Sequence, residues 1–169
     1  MKEILEKLIS CMEKEITIYT MISKLVSQER KMLVKNQEIE LPKNLDEQNE
    51  LIFLAYQEEN KRISVMNQAA KMLELQKHGD GIITVSNIAG AIQGEYKIKL
   101  IKLRDSLRSI VDNISDLNQN NIFLMEQGRG NVKNMLDLVI NKDGTSVYRK
   151  DGRMKSSAIS ISSIINKVC

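Results

Sequence analysis

Tryptophan is absent from this chain, proline and histidine occur once each (Pro42 and His78), and four tyrosines with two phenylalanines supply all the aromatic surface. A core so poor in rings must be aliphatic, and a chain with a single proline places almost no breaker inside long helical periods. One histidine cannot furnish the paired Glu-x-x-His motifs of a di-iron bundle. Directly before Gly79, it is expected to meet the last carbonyls of a helix instead. The two cysteines, Cys11 and Cys169, have neither the spacing of a zinc site nor that of a disulfide framework, so free thiols are expected.

Catalytic signatures are equally scarce. There is no Gly-x-Ser-x-Gly, Cys-x-x-Cys or His-Glu-x-x-His, and Gly79-Asp80-Gly81 lacks the lysine and the spacing of a phosphate-binding loop. No catalytic residue, metal site or cofactor is therefore expected. Carboxylates such as Glu13, Glu15, Glu58 and Glu59 are expected on solvated helix faces. No run approaches the roughly 20 apolar residues that cross a bilayer. Met1-Lys2-Glu3 leads straight into an amphipathic pattern, so a cytoplasmic protein without membrane insertion is expected.

The formal charge is +3, but it is unevenly placed. From Asn141 onward, Lys142, Arg149, Lys150, Arg153, Lys155 and Lys167 stand against only Asp143 and Asp151. The remainder is close to neutral and offers no basic face for nucleic acid, whereas the basic tail suits an acidic partner. Two regions are thus expected: a helical bundle over residues 1–140, and a basic, partly flexible tail over residues 141–169.

What the sequence has in quantity is Leu, Ile, Met, Glu, Lys and Gln at helical spacing. Leu5, Leu8, Ile9, Met12, Ile16, Tyr19, Ile22, Val26 and Leu33 form one seam of a first helix, from about Lys2 to Asn36. Pro42 forbids its continuation. Asn44 with Glu47 three residues later resembles a capping box for a second helix reaching about Lys77, with Leu45, Ile52, Ala55, Tyr56, Ile63, Met66, Ala70 and Leu73 as its apolar positions. His78-Gly79-Asp80-Gly81 stops it, Thr84 or Ser86 caps a short segment through Ile92, and Gly90 and Gly94 mark a bend. The last helix runs from about Glu95 to Ile140, with Leu100, Leu103, Leu107, Ile110, Ile114, Leu117, Leu124, Met135 and Leu138 in a heptad-like stripe interrupted by Asn121.

The expected fold is therefore all-α: an antiparallel three-helix, coiled-coil-like bundle with a short helix before the long last one. At 1.5 Å per residue the first two helices span roughly 50 Å each and the last roughly 70 Å, so its end is expected to overhang. Val132, Met135, Leu136, Leu138 and Val139 lie in that stretch, and an apolar stripe without an internal partner marks an interaction surface. Met125 and Met135 suit it, because an unbranched thioether adapts to different partners. Two other covers for the stripe remain open: a homodimer of the free protein, or the tail, whose Ile159, Ile161, Ile164, Ile165 and Val168 would let it fold back. Gly128 and Gly130 form a hinge, admit a close helix, or mark a break between Gln127 and Asn131.

Leu117-Asn118-Gln119-Asn120-Asn121, then Leu124-Met125-Glu126, then a lone tail tyrosine, Tyr148, and Gly152 form an ordered set. In that set the chain resembles the FlgN family of flagellar export chaperones. The resemblance implies a type III secretion chaperone that binds the C-terminal helical segment of hook-associated junction proteins in the cytosol. It would prevent their premature assembly and deliver them to the cytoplasmic domain of the membrane export gate. Residues expected at the client are Asn118, Asn121, Leu124, Met125, Val132, Met135, Leu138 and Val139. The resemblance gives gate docking to Tyr148, with Arg149 and Lys150 beside it. The competing expectation is a coiled-coil adaptor or self-associating structural protein without an export role.

Overall fold

Four α-helices make up the described chain: α1, Lys2–Lys35; α2, Leu41–Met72; α3, Val85–Ala91; and α4, Glu95–Asp143. They were located in a computed structural model that describes residues 1–37, 39–75 and 83–143, with side chains through Asp137. The protein is all-α, with no strand among the described residues. The fold divides inside α4: one unit covers Met1–Leu124 and a second begins at Met125.

Helix ends explain where sequence expectation and structure part. α1 ends as expected, with Asn36 in the left-handed conformation at φ 53°. Its N–H reaches the Leu33 carbonyl and that of Gln37 reaches the Met32 carbonyl, a Schellman pattern. α2 starts earlier than expected, with Pro42 inside its first turn, where the missing N–H has no helical partner to lose. Asn44 is therefore not a cap; it is buried within the helix. α2 also ends earlier, at Met72 rather than near Lys77. Glu74 takes φ 51°, its N–H bonding the Lys71 carbonyl and that of Leu75 the Ala70 carbonyl. A glutamate thus does what glycine usually does at a helix end, and Leu75 packs against the core in compensation. His78, Gly79 and Gly81 lie outside the described residues.

Thr84 caps α3, accepting from the Asn87 N–H at 3.2 Å, while its own N–H donates to Asn87 Oδ1 at 2.9 Å. Gly94, at φ 80°, makes the bend before α4, whereas Gly90 lies within α3. α4 passes through Gly128 and Gly130 without a break. A Cβ at either position would meet nothing within 4 Å among the described residues.

In the first unit, Glu15 of α1 meets Arg62 of α2 while Glu29 meets Gln48, so α1 and α2 are antiparallel. Glu6 meets Tyr96, Ser23 meets Asn113, and the Val26 carbonyl meets Asn121, so α4 runs parallel to α1. The principal core sits at the α3 end, where Leu8, Met12, Met66, Ala69, Ile88 and Leu100 are buried together. A smaller cluster, Ile22, Val26 and Ala55, lies farther along with Ile114 and Leu117 against it. Polar layers separate and flank these clusters. Asn44 Nδ2 donates to the Leu25 carbonyl at 3.2 Å, and Gln48 Nε2 donates to Asn44 Oδ1 at 2.7 Å and to Glu29 Oε2 at 2.9 Å.

The face of α2 turned inward is thus Asn44, Gln48, Ala55, Arg62, Met66 and Ala69; of the expected apolar row, Ala55, Met66 and Ala70 are buried and Leu73 packs against the core, whereas the other four positions are not. Leu45, Ile52, Tyr56 and Ile63 are exposed. Small and hydrogen-bonded residues win the inward face because they let α1 and α2 approach while Asn44, Gln48 and Arg62 find partners there; Glu58, expected on a solvated face, is instead largely buried with its Oε2 unpaired. Glu15 is a second correction: it is buried against Arg62 instead of lying on a solvated face.

Candidate functional site

From Met125 the chain continues as helix, and its large apolar side chains are exposed: Met125 at 44%, Val132 at 57%, Met135 at 68% and Leu136 at 55%. Met125, Val132 and Leu136 follow spacings of seven and four and share one face, while Met135 stands on the neighbouring row, three residues beyond Val132. Glu126, Arg129, Lys133 and Asp137 alternate with them. Such a face is suited to burial against another helix, with charges of both signs left at the margins. Leu138 and Val139 belong to the helix, but their side chains lie outside the described ones, and Tyr148, Arg149 and Lys150 lie outside the described residues.

The remaining expected residues fall in the first unit. Asn118 is exposed and Leu124 half-buried. Asn121 is 1% exposed and faces α1: its Nδ2 donates to the Val26 carbonyl at 3.0 Å, and its Oδ1 has no partner. Within the first unit it links α4 to α1. The expected residues therefore divide among an exposed face from Met125 onward, an exposed Asn118 and an internal seam at Asn121.

A charged cluster lies in the interior of the first unit. Arg62 Nε lies 2.8 and 3.0 Å from the two oxygens of Glu15, and its Nη2 lies 3.3 Å from Glu59. Burial pushes the Glu15 carboxyl above its ordinary value, and the opposing pull of Arg62 does not cancel it. Burial also raises the Cys11 thiol, with Glu58 adding to the effect, which keeps it in its less reactive protonated form. No group of three or more His, Cys, Asp or Glu able to hold a metal occurs among the described residues. No described helix is long and apolar enough to cross a membrane.

Hydrophobic periodicity missed the exposed row of α2, which the large side chains of Leu45, Ile52, Tyr56 and Ile63 had marked as core. The available signal was the second periodicity of the same helix, Asn44, Gln48, Ala55, Arg62, Met66 and Ala69, at helical spacings of four, seven, seven, four and three.

In comparison with known protein families, the family model described as FlgN protein matches residues 1–156. No curated protein and no solved structure matches the chain.

Proposed function

We propose, from the premise that this chain belongs to the FlgN family of flagellar export chaperones, that it captures the C-terminal helical segment of hook-associated junction proteins in the cytosol. In this reading it keeps that segment from assembling early and hands the client to the cytoplasmic domain of the export gate. The observation that carries the reading is the exposed row Met125, Val132 and Leu136, with Met135 beside it. A client helix laid along it would bury apolar surface that water now covers, at roughly 25 cal/mol per Å². Leu138 and Val139 would extend the contact along α4, and Leu124 and Asn118 are client residues on the strength of the family resemblance. Asn121 would act indirectly, by holding α4 in register on α1.

Gate docking is assigned to Tyr148, flanked by Arg149 and Lys150, on the strength of the family resemblance. A single aromatic among small and basic residues can anchor in a partner's pocket while the charges steer the encounter. The test is co-purification with each junction protein, with and without its C-terminal helical segment. Capture that depends on the segment supports the reading, and capture indifferent to it contradicts it. Tyr148→Ala should retain client binding and lose binding of the loaded chaperone to the purified gate domain.

A further inference from the structure

Within the first unit, α4 is held on the α1–α2 hairpin unequally along its length. At the α3 end, Leu100 is fully buried in the principal core. Tyr96 donates to Glu6 at 2.9 Å, Lys99 pairs with Glu13 at 2.9 Å, and Arg104 donates to Ser86 of α3 at 2.9 Å. Farther along, the seam residues Leu103, Leu107, Ile110, Ile114, Leu117 and Leu124 are only half-buried. Among the described residues of α4 past Leu100, the one buried side chain is Asn121. Two hydrogen bonds tie this stretch to α1: Asn113 Nδ2 to the Ser23 hydroxyl, 3.0 Å and exposed, and Asn121 Nδ2 to the Val26 carbonyl, 3.0 Å. No ion pair among the described residues joins α4 to another helix past Lys99, since Arg104 and Arg108 pair with Asp105 and Asp112 of α4 itself.

Polar satisfaction is lopsided in the same sense. Docking the far stretch buries Asn121 Oδ1 without a partner, and releasing it returns that oxygen to water. The hairpin loses little in exchange. Asn44 and Gln48 find their partners in the Leu25 carbonyl, Glu29 and each other, and Arg62 finds Glu15, so these inward polar groups stay satisfied with α4 away. Only the small cluster of Ile22, Val26 and Ala55, with Ile114 and Leu117 against it, is given up.

We propose that α4 is a strap with a fixed and a releasable part: residues 110–124 open from the α1–α2 hairpin as a local unit, while residues 96–103 remain in the core. A helical stretch of this length without packing is marginal in water, so release exposes its backbone amides. The open form uncovers Ile22, Val26, Ile114 and Leu117 while the hairpin stays closed. The proposal concerns residues of the first unit alone and does not rest on the capture role given to the face from Met125 onward.

Amide hydrogen exchange of the full-length protein, followed residue by residue at several urea concentrations below the unfolding transition, tests it. Amides of residues 110–121 should exchange about 100-fold or more faster than those of residues 96–103, with a step between the two groups. Their rates should rise little with urea, because local opening exposes little surface. Ile88→Val, in the principal core, should speed exchange of residues 96–103 about fivefold and leave residues 110–121 unchanged. Asn121→Leu should slow exchange of residues 110–121 about fivefold by removing the unpaired acceptor. Equal protection of the two groups, or one common acceleration by Ile88→Val, would show a single cooperative unit and overturn the proposal. A smooth rise in exchange toward Leu124 without a step would show fraying from that end and would equally overturn it, as would unchanged exchange of residues 110–121 in Asn121→Leu.

Discussion

Arg62 of α2 closes on Glu15 of α1 with its Nε 2.8 and 3.0 Å from the two carboxylate oxygens, at a position where Glu15 is 1% exposed. Removing one partner of such a pair leaves a buried charge uncompensated, whereas replacing both by apolar groups is often neutral or favourable. Arg62→Met should therefore destabilise the protein by about 3–5 kcal/mol, while Glu15→Leu with Arg62→Met should recover most of that loss. Urea denaturation of the two single variants and the double variant measures the difference.

The same carboxyl gives a pH dependence of defined sign. Its folded pKa is raised above the ordinary value of 4.5, so the folded state binds the proton more readily than the unfolded state does. The stability contributed is fully present below 4.5 and is lost as pH rises through the folded pKa. The melting temperature of the wild type, measured against Glu15→Gln, should accordingly fall as pH rises from 4.5 and then level off. A difference that grows with pH would show that the attraction of Arg62 outweighs burial.

Asn121 should set register at the expense of stability. Its Oδ1 is buried without a partner although its Nδ2 holds the Val26 carbonyl. Asn121→Leu removes the unsatisfied acceptor and should raise stability by about 1 kcal/mol, which for a chain of this size is roughly 2–4 °C in Tm. Calorimetric melting tests the gain, and sedimentation tests whether the α4 seam then tolerates additional oligomeric states.

Glu74 holds a left-handed conformation that costs a non-glycine residue roughly 1–2 kcal/mol. Glu74→Gly should stabilise the protein by about 0.5–1 kcal/mol after the added freedom of the unfolded chain is counted. Glu74→Val should destabilise it, because a β-branched side chain crowds that backbone further. Chemical denaturation of both variants provides the check.

Much of this architecture is legible in the sequence, and the parts that are not share a physical cause. The α1 seam through Leu8, Met12, Ile22 and Val26, the cap at Thr84 and the continuous run of α4 follow from periodicity and capping chemistry. The phase of the first half of α2 does not, because its inward face includes Asn44, Gln48 and Arg62, whose burial depends on partners far away in sequence. Hydrophobicity ranks Leu45 and Ile52 as core, yet the hydrogen bonds to the Leu25 carbonyl and Glu29 decide which side of the helix turns in. The end of α2 is similarly hidden, since a left-handed glutamate gives no compositional signal. At the candidate site, the exposed Met125, Val132 and Met135 were visible as an apolar stretch of the last helix. The inward turn of Asn121 was visible only as an interruption in a stripe.

The exposed apolar face from Met125 onward is proposed to seat a client helix. Isothermal titration of the C-terminal helical segment of a junction protein into wild type, Val132→Asp and Met135→Asp tests it most directly. Burying an unpaired carboxylate against a partner costs several kcal/mol, so each variant should lose about 100-fold or more in affinity while its helical spectrum stays unchanged. Wild-type affinity retained in both variants would contradict the claim.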